Sequence, residues 1–356
     1  MNKKYLIILF TVVSFPFFSE SQVAKYSNEF LSIGVGAREL AMGGAAVAST
    51  SSVFSTYWNP AALLDVKSDA QVGAMHNENF GGISKYDYIG FTSVKKDNSA
   101  IGFSIVRNGV DGIPNTLDLI DENGDVRYDR ITTFSVNDYA FFVSAAQKLT
   151  DKDIVVGVNA KIIRRIVGKF ATSWGFGIDL SAQYKTGKWV LAAMLRDATT
   201  TYNAWKFNTA TFKDVFLLTG NEIPQNSTEL TMPKLTLGSS KRFDIKAKHK
   251  ILLEIDGDFT FDGKRNVLVK SKYASFDPKA GIEYGFKEIV FFRAGVNNLQ
   301  KIPDFNNKQR VDLQPNLGAG FQYKKLAIDY ALSILGDKSS AMYTNIFSLS
   351  YSFNKK

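Results

Sequence analysis

The sequence predicts an all-β fold: a 14-stranded antiparallel transmembrane β-barrel preceded by an N-terminal hatch. Three observations carry that expectation. Alternating segments run longer than soluble strands, their connections alternate between short and long, and the composition is rich in aromatics and glycine. Of 356 residues, 28 are Phe, 15 Tyr and 27 Gly, against 8 Pro and no Cys. Aromatic and glycine excess suits a β-rich chain with a face toward lipid. The absence of cysteine excludes disulfides, thiolate metal sites and cysteine nucleophiles.

The chain opens with a short basic stretch, Asn2-Lys3-Lys4, and an apolar run from Tyr5 to Phe18. Ser19-Glu20-Ser21 then places small residues where a signal peptidase inspects them. Residues 1–21 therefore read as a secretory signal peptide cleaved before Gln22, and the mature chain as exported.

From Asp69 onward the pattern has period 2. Trp174, Phe176, Ile178, Leu180, Ala182 and Tyr184 form an apolar face against small or polar neighbours. Soluble strands usually run about five or six residues, and these run about ten or more, the length that crosses a bilayer when tilted. The expected strands are 69–78, 85–96, 98–108, 134–149, 153–167, 170–185, 187–197, 231–242, 248–261, 272–286, 288–298, 311–324, 325–335 and 342–353. Turns such as 186–187, 287 and 324–325 are very short. They alternate with longer connections, of which 109–133 and 198–230 are the longest; only Gly168-Lys169 departs clearly from the trend. Outer-membrane barrels have short periplasmic turns and long external loops, and the parity puts every long loop on one side. The last strand carries Phe347, Leu349, Tyr351 and Phe353 in alternation.

Period 2 also sorts the charges. With Ile154, Val156, Val158, Ala160 and Ile162 facing lipid, Asn159, Lys161 and Arg165 face inward. So do Glu254, Asp256, Asp258, Lys279, Glu283, Arg293 and Lys324. A crowded lumen of both signs favours a plugged barrel over an open porin, because buried charges need partners.

Residues 22–68 do not read as a membrane strand, and 69–356 read as the barrel. The earlier segment holds Gly34, Gly36, Gly43 and Gly44, then Trp58, Asn59, Pro60 and Ala61. Asn-Pro favours a turn leading into a short helix. Three runs of this segment are specific: Ser27 to Arg38, Met42 to Ala45, and Tyr57 to Leu63. Together they resemble the N-terminal signature of the PorV/PorQ family, within the FadL-like group of long-chain fatty-acid transporter barrels. That resemblance implies fourteen strands and a hatch inside the barrel carrying Asn59, Pro60 and Ala61. It also implies the outer membrane of a Gram-negative, Bacteroidetes-like bacterium and service to the type IX secretion system. Secretion subunits or cargo proteins would be the partners, with outer-membrane lipid around the wall. Gly34 to Arg38 differs from the dedicated shuttle subunit of that system, which implies a paralogue.

The sequence offers little chemistry. It contains no Gly-x-Ser-x-Gly elbow, P-loop or His-Glu-x-x-His motif. Its two histidines, His76 and His249, fall at opposite ends of the expected barrel. No catalytic residue, cofactor or metal site is expected, so the protein reads as a non-enzyme. Asp121-x-Asn123-x-Asp125 resembles a calcium-loop opening, but Val126 and Thr132 stand where such a loop needs Gly and Glu. Asn123-Gly124 favours a hairpin there instead. The net charge is +9, yet Lys and Arg are scattered and no nucleic-acid motif occurs, so no nucleic-acid partner is expected.

Two functions remain. One is a protein-interaction barrel of the secretion machinery; the other is a carrier of small hydrophobic molecules. Loops 109–133 and 198–230 are the candidate docking surface. Asp121 and Asp125 would provide acidic steering, and Tyr202, Trp205, Phe207 and Phe216 the aromatic area, with Trp205 as anchor. The competing arrangement folds both loops over the barrel mouth.

Overall fold

The computed structural model describes residues 27–95, 98–121, 123–149, 153–303, 309–334 and 343–354. The expected signal peptide, 1–21, lies outside the described residues.

The wall begins with β1 (Ala70–Asn79), β2 (Ser84–Lys95), β3 (Ser99–Asn115), β4 (Thr132–Lys148), β5 (Ile154–Val167) and β6 (Ala171–Thr186). Next come β7 (Trp189–Arg196, continued by Thr201–Phe207) and β8 (Ser227–Thr231, continued by Lys234–Lys246). It is completed by β9 (His249–Thr260), β10 (Ser275–Phe286), β11 (Val290–Pro303), β12 (Gln309–Tyr323), β13 (Leu326–Ile334) and β14 (Tyr343–Phe353). A two-residue segment, Val269–Lys270, only flanks β10. Every neighbouring pair is antiparallel. β1 closes on β14 from Ala70↔Phe353 to Glu78↔Asn345, giving a closed barrel of fourteen strands.

Two strands are broken but continuous in the sheet. Both pieces of β7 pair with β6, and the break between them has positive φ at Asp197 and Thr200. Opposite lies the interruption of β8 at Met232-Pro233, where proline lacks a ladder donor. This corrects the expected loop 198–230. Residues 201–207 and 227–231 extend the wall upward, and only 208–226, with a short helix Lys213–Thr219, is loop. Tyr202, Trp205 and Phe207 are therefore strand residues. Likewise β3 and β4 outrun the expected 98–108 and 134–149, reaching Asn115 and starting at Thr132, with a bulge between Val110 and Ile113.

Side chains alternate across the wall. On β4, Ala140, Phe142, Ser144 and Ala146 are buried inward, while Phe141 and Val143 are exposed outward. Ile89, Phe103, Phe176, Ile255, Leu317 and Leu349 continue the outward apolar surface around the barrel. An apolar patch this continuous needs a covering medium, and a transmembrane barrel finds it in lipid. No helix among the described residues is long and apolar enough to cross a membrane. The wall crosses with strands instead, whose ladders close on one another around the ring.

Because the ladder closes on itself, unfolding must break the whole ring. Unboiled protein in detergent is therefore expected to migrate differently from boiled protein on a gel. A single unshifted band, recovered in a soluble fraction, would rule out the transmembrane wall.

Candidate functional site

Residues 27–66 lie within the wall, against its inner face. Val35, Ala37, Ala41, Met42, Ala45, Ala46, Val53, Ala61, Ala62 and Leu63 are wholly buried. Small residues and backbone dominate the contact, and glycines on the wall make room. A Cβ on Gly295 would sit 2.0 Å from the carbonyl carbon of Met42, and one on Gly157 would sit 2.2 Å from the nitrogen of Ala61. No real Cβ tolerates either distance, so these wall positions admit only glycine.

Within the segment, Trp58, Asn59, Pro60 and Ala61 come together. The Asn59 side chain accepts from Ala61 N at 3.0 Å, capping the 3₁₀ turn Pro60–Asp65, and Pro60 opens that turn. Its amide also donates to Val47 O at 2.7 Å. The Trp58 indole donates to Val35 O at 2.7 Å, and the Tyr57 hydroxyl donates to Leu31 O. One tetrapeptide thus ties the two halves of the segment together.

The segment is tied to the wall from several sides. Asp256 on β9 accepts from Ala46 N at 2.8 Å and Val47 N at 3.0 Å, and Glu254 accepts from Ala48 N at 2.7 Å. Gln71 on β1 accepts from Val53 N, and Ser348 on β14 accepts from Ala37 N. Asn159 on β5 donates to Thr56 O. Arg196 on β7 donates to Tyr57 O and lies 4.2 Å over its ring. These strands lie at different stations around the ring, so no single strand holds the segment.

Buried ion clusters complete the lumen. Glu283 bridges Arg38 of the segment (2.9 Å) and Arg293 of the wall (2.6 Å), and Arg293 reaches Asp329 at 2.6 Å. Lys161 lies 2.7 Å from Asp179 and 2.6 Å from Asp197. Asp258 receives Lys279 at 2.8 Å and Lys234 at 3.5 Å. In low dielectric each charge is held by a partner.

A cavity lies on each side of the segment. One of about 860 Å³ faces the long-loop end, bounded below by Phe30, Ile33 and Leu40. Its walls carry Asn77, Asn79, Asn108, Asp138, Arg165 and Asn316 among other polar groups. The other, about 360 Å³, faces the short-turn end beneath Glu39, Ser52 and Phe54.

The remaining sequence candidates are dispersed along the long-loop side. Asp121 and Asp125 flank a tight hairpin closed by an Ile120↔Val126 bridge, and Asp121 Oδ1 accepts from Asn123 N and Asp125 N. Trp205 points toward the lumen. Its indole donates to Glu229 at 2.7 Å, Arg165 lies 4.9 Å over its ring, and Phe207 stacks at 6.3 Å. Tyr202 is exposed on the outer face. Phe216 packs on Phe212 at 4.8 Å, leaving Leu217 and Leu218 exposed on the short helix. His76 and His249 lie at opposite ends of the wall, on β1 and β9.

Sequence reasoning placed the inward charges but missed the wall glycines. The available signal was glycine at inward positions of the alternation: Gly157, Gly281, Gly295 and Gly318.

No family model matches the sequence, and no curated protein matches it. Solved structures do share the fold. The CymD monoaromatic hydrocarbon channel aligns over 91% of this chain and 98% of its own, with TM-score 0.58 and 14% identity. The toluene transporter TodX of P. putida aligns over 91% and 99%, with TM-score 0.54 and 14% identity. The toluene transporter TbuX of Ralstonia pickettii aligns over 90% and 99%, with TM-score 0.53 and 14% identity. At that identity the likeness is one of fold: a closed antiparallel β-barrel of fourteen strands.

Proposed function

We propose that the chain is a non-enzymatic outer-membrane barrel, closed at rest by residues 27–66, that serves type IX secretion and surface attachment by binding secreted or surface proteins at its external end. The observation that carries this reading is the PorV/PorQ resemblance of Ser27 to Leu63, joined to the apolar side chains exposed on the external loops. The outer cavity favours neither reading, since its walls mix Asn77, Asn108, Asp138 and Arg165 with Phe30, Ile33, Leu40, Phe80, Ile83 and Val110. The external loops meanwhile carry exposed apolar side chains: Leu218 is 88% exposed, Tyr273 82% and Tyr128 75%. Such residues suit a protein partner. Because Trp205 is engaged by Glu229 and Arg165, Leu217 and Leu218 replace it as the anchors of this proposal.

The second reading is a FadL-like carrier of small hydrophobic molecules. The shared fold with barrels named as toluene transporters and a monoaromatic hydrocarbon channel favours it, and on those comparisons alone it is the better supported of the two.

One experiment separates them. The tagged full-length barrel is isolated from its native membrane, and toluene entry is measured in cells with and without it. The proposal expects secretion subunits or cargo in the isolate, lost on Leu217→Ser with Leu218→Ser and kept on Trp205→Ala, with toluene entry unchanged. Faster toluene entry without a copurifying secretion protein overturns it in favour of the carrier.

A further inference from the structure

The cavity at the short-turn end has an uneven charge distribution. Its deep part holds three carboxylates, Glu39, Glu283 and Asp329, which share Arg38 and Arg293. Its mouth holds Lys67, Arg242, Lys250, Lys324 and Lys325, against the single carboxylate of Glu288. Lys250 donates to Glu288. That hydrogen bond, followed by the charges of Lys67 and Arg242, holds the Glu288 carboxyl below its usual range. Among the described residues, Lys67, Arg242, Lys324 and Lys325 have no ion-pair partner, Lys324 resting 5.2 Å over the Tyr323 ring, and Glu288 is the one carboxylate set against them at the mouth, which therefore carries an excess of positive charge.

Position narrows what compensates them. Arg242 pairs in register with Leu252, which is buried inward, and Gln322, Ser350 and Ser352 of the same lining also face the lumen. Lipid headgroups lie outside the wall, so the opening receives solutes from the periplasmic compartment. A volume of about 360 Å³ falls in the range of small-molecule sites. The carboxylates at the deep end repel an anion, which confines it to the mouth. Several cations around a small volume favour a compact group with two or more negative charges, held by charge-assisted hydrogen bonds.

We propose that this vestibule is a binding site for a small phosphate-bearing polyanion of the diphosphate type, held by Arg242, Lys324, Lys325 and Lys67. The proposal goes beyond the choice between secretion barrel and carrier and depends on neither.

The test uses the full-length barrel in nanodiscs of phosphatidylcholine, which contain no anionic lipid, titrated calorimetrically with inorganic pyrophosphate at low ionic strength. One saturable site is expected, weakening as salt rises because the cations are exposed. Arg242→Gln, and Lys324→Gln with Lys325→Gln, are each expected to weaken it about tenfold or more, while heat-dependent gel mobility stays unchanged. Lys270→Gln with Lys272→Gln, on the opposite face, is expected to leave it intact. No saturable site, or equal losses in mouth and control variants, overturns the proposal. So does saturable binding of an oligoglutamate peptide without binding of pyrophosphate, since the occupant would then be a protein segment. If binding appears only after anionic lipid is added, the phosphate belongs to a headgroup and the luminal site is rejected.

Discussion

Deleting residues 27–66 is expected to turn an electrically silent barrel into a conducting pore. In the intact protein, cavities of about 860 and 360 Å³ lie on either side of this segment, so removing it joins them. The wall does not depend on the segment for closure, because β1 and β14 pair directly over nine registered positions. What the deletion exposes is hydrophilic: Asp256, Glu254, Arg196, Gln71 and Asn159 lose their partners on the segment and meet water instead. A wide polar lumen conducts ions, as open porin barrels do. The measurement is single-channel recording in planar bilayers. Intact protein should give no stable steps and the deleted protein repeated ones, with the heat-dependent gel shift showing that the wall has formed. Large open-pore currents from intact protein would contradict closure, and a folded but silent deletion would place the barrier elsewhere in the wall.

The wall was largely legible because period 2 is a local signal. On β5 and β6 the alternation alone puts Lys161 and Asp179 inside and Phe176 outside, as found. Legibility failed where a strand carries residues that ordinarily end one. Asp197 to Thr200 read as the end of a strand, and Ser227 to Leu230, ahead of Met232-Pro233, as loop, yet each break is local and the neighbouring ladder spans it. Gly109, Gly112 and Pro114 similarly hid the upper part of β3, where a bulge absorbs them. The inner segment divides the same way. The turn at Asn59-Pro60 is written in adjacent residues. The tie between Ala46 and Asp256 spans 210 positions, and no local pattern encodes it. The acidic side of that tie stood out as an inward charge. The other side is a backbone amide, which every residue but proline carries, and so it left no mark in the sequence.

The second large effect is expected from Lys161→Met. Lys161 is 2% exposed and lies between Asp179, equally buried, and Asp197 at the break of β7. Asp179 also accepts from the backbone nitrogen of Asp197 at 2.8 Å, and Thr201 donates to the Asp197 carboxylate. The cluster therefore pins the break of β7. Taking away the ammonium leaves two carboxylates facing each other in low dielectric. Breaking a buried pair by removing one partner costs about 3–5 kcal/mol, and here two partners are stranded. The measurement is urea unfolding of the barrel in detergent, followed by loss of the gel shift. Lys161→Met should unfold at clearly lower urea. Combining it with Asp179→Asn and Asp197→Asn should recover most of the loss, because those changes remove the charge rather than the fold and the three sites share one network. A cost of only about 1 kcal/mol for Lys161→Met, the size typical of exposed pairs, would mean that water in the lumen hydrates these ions. The buried ammonium would then hold the break of β7 no more firmly than an exposed ion pair does.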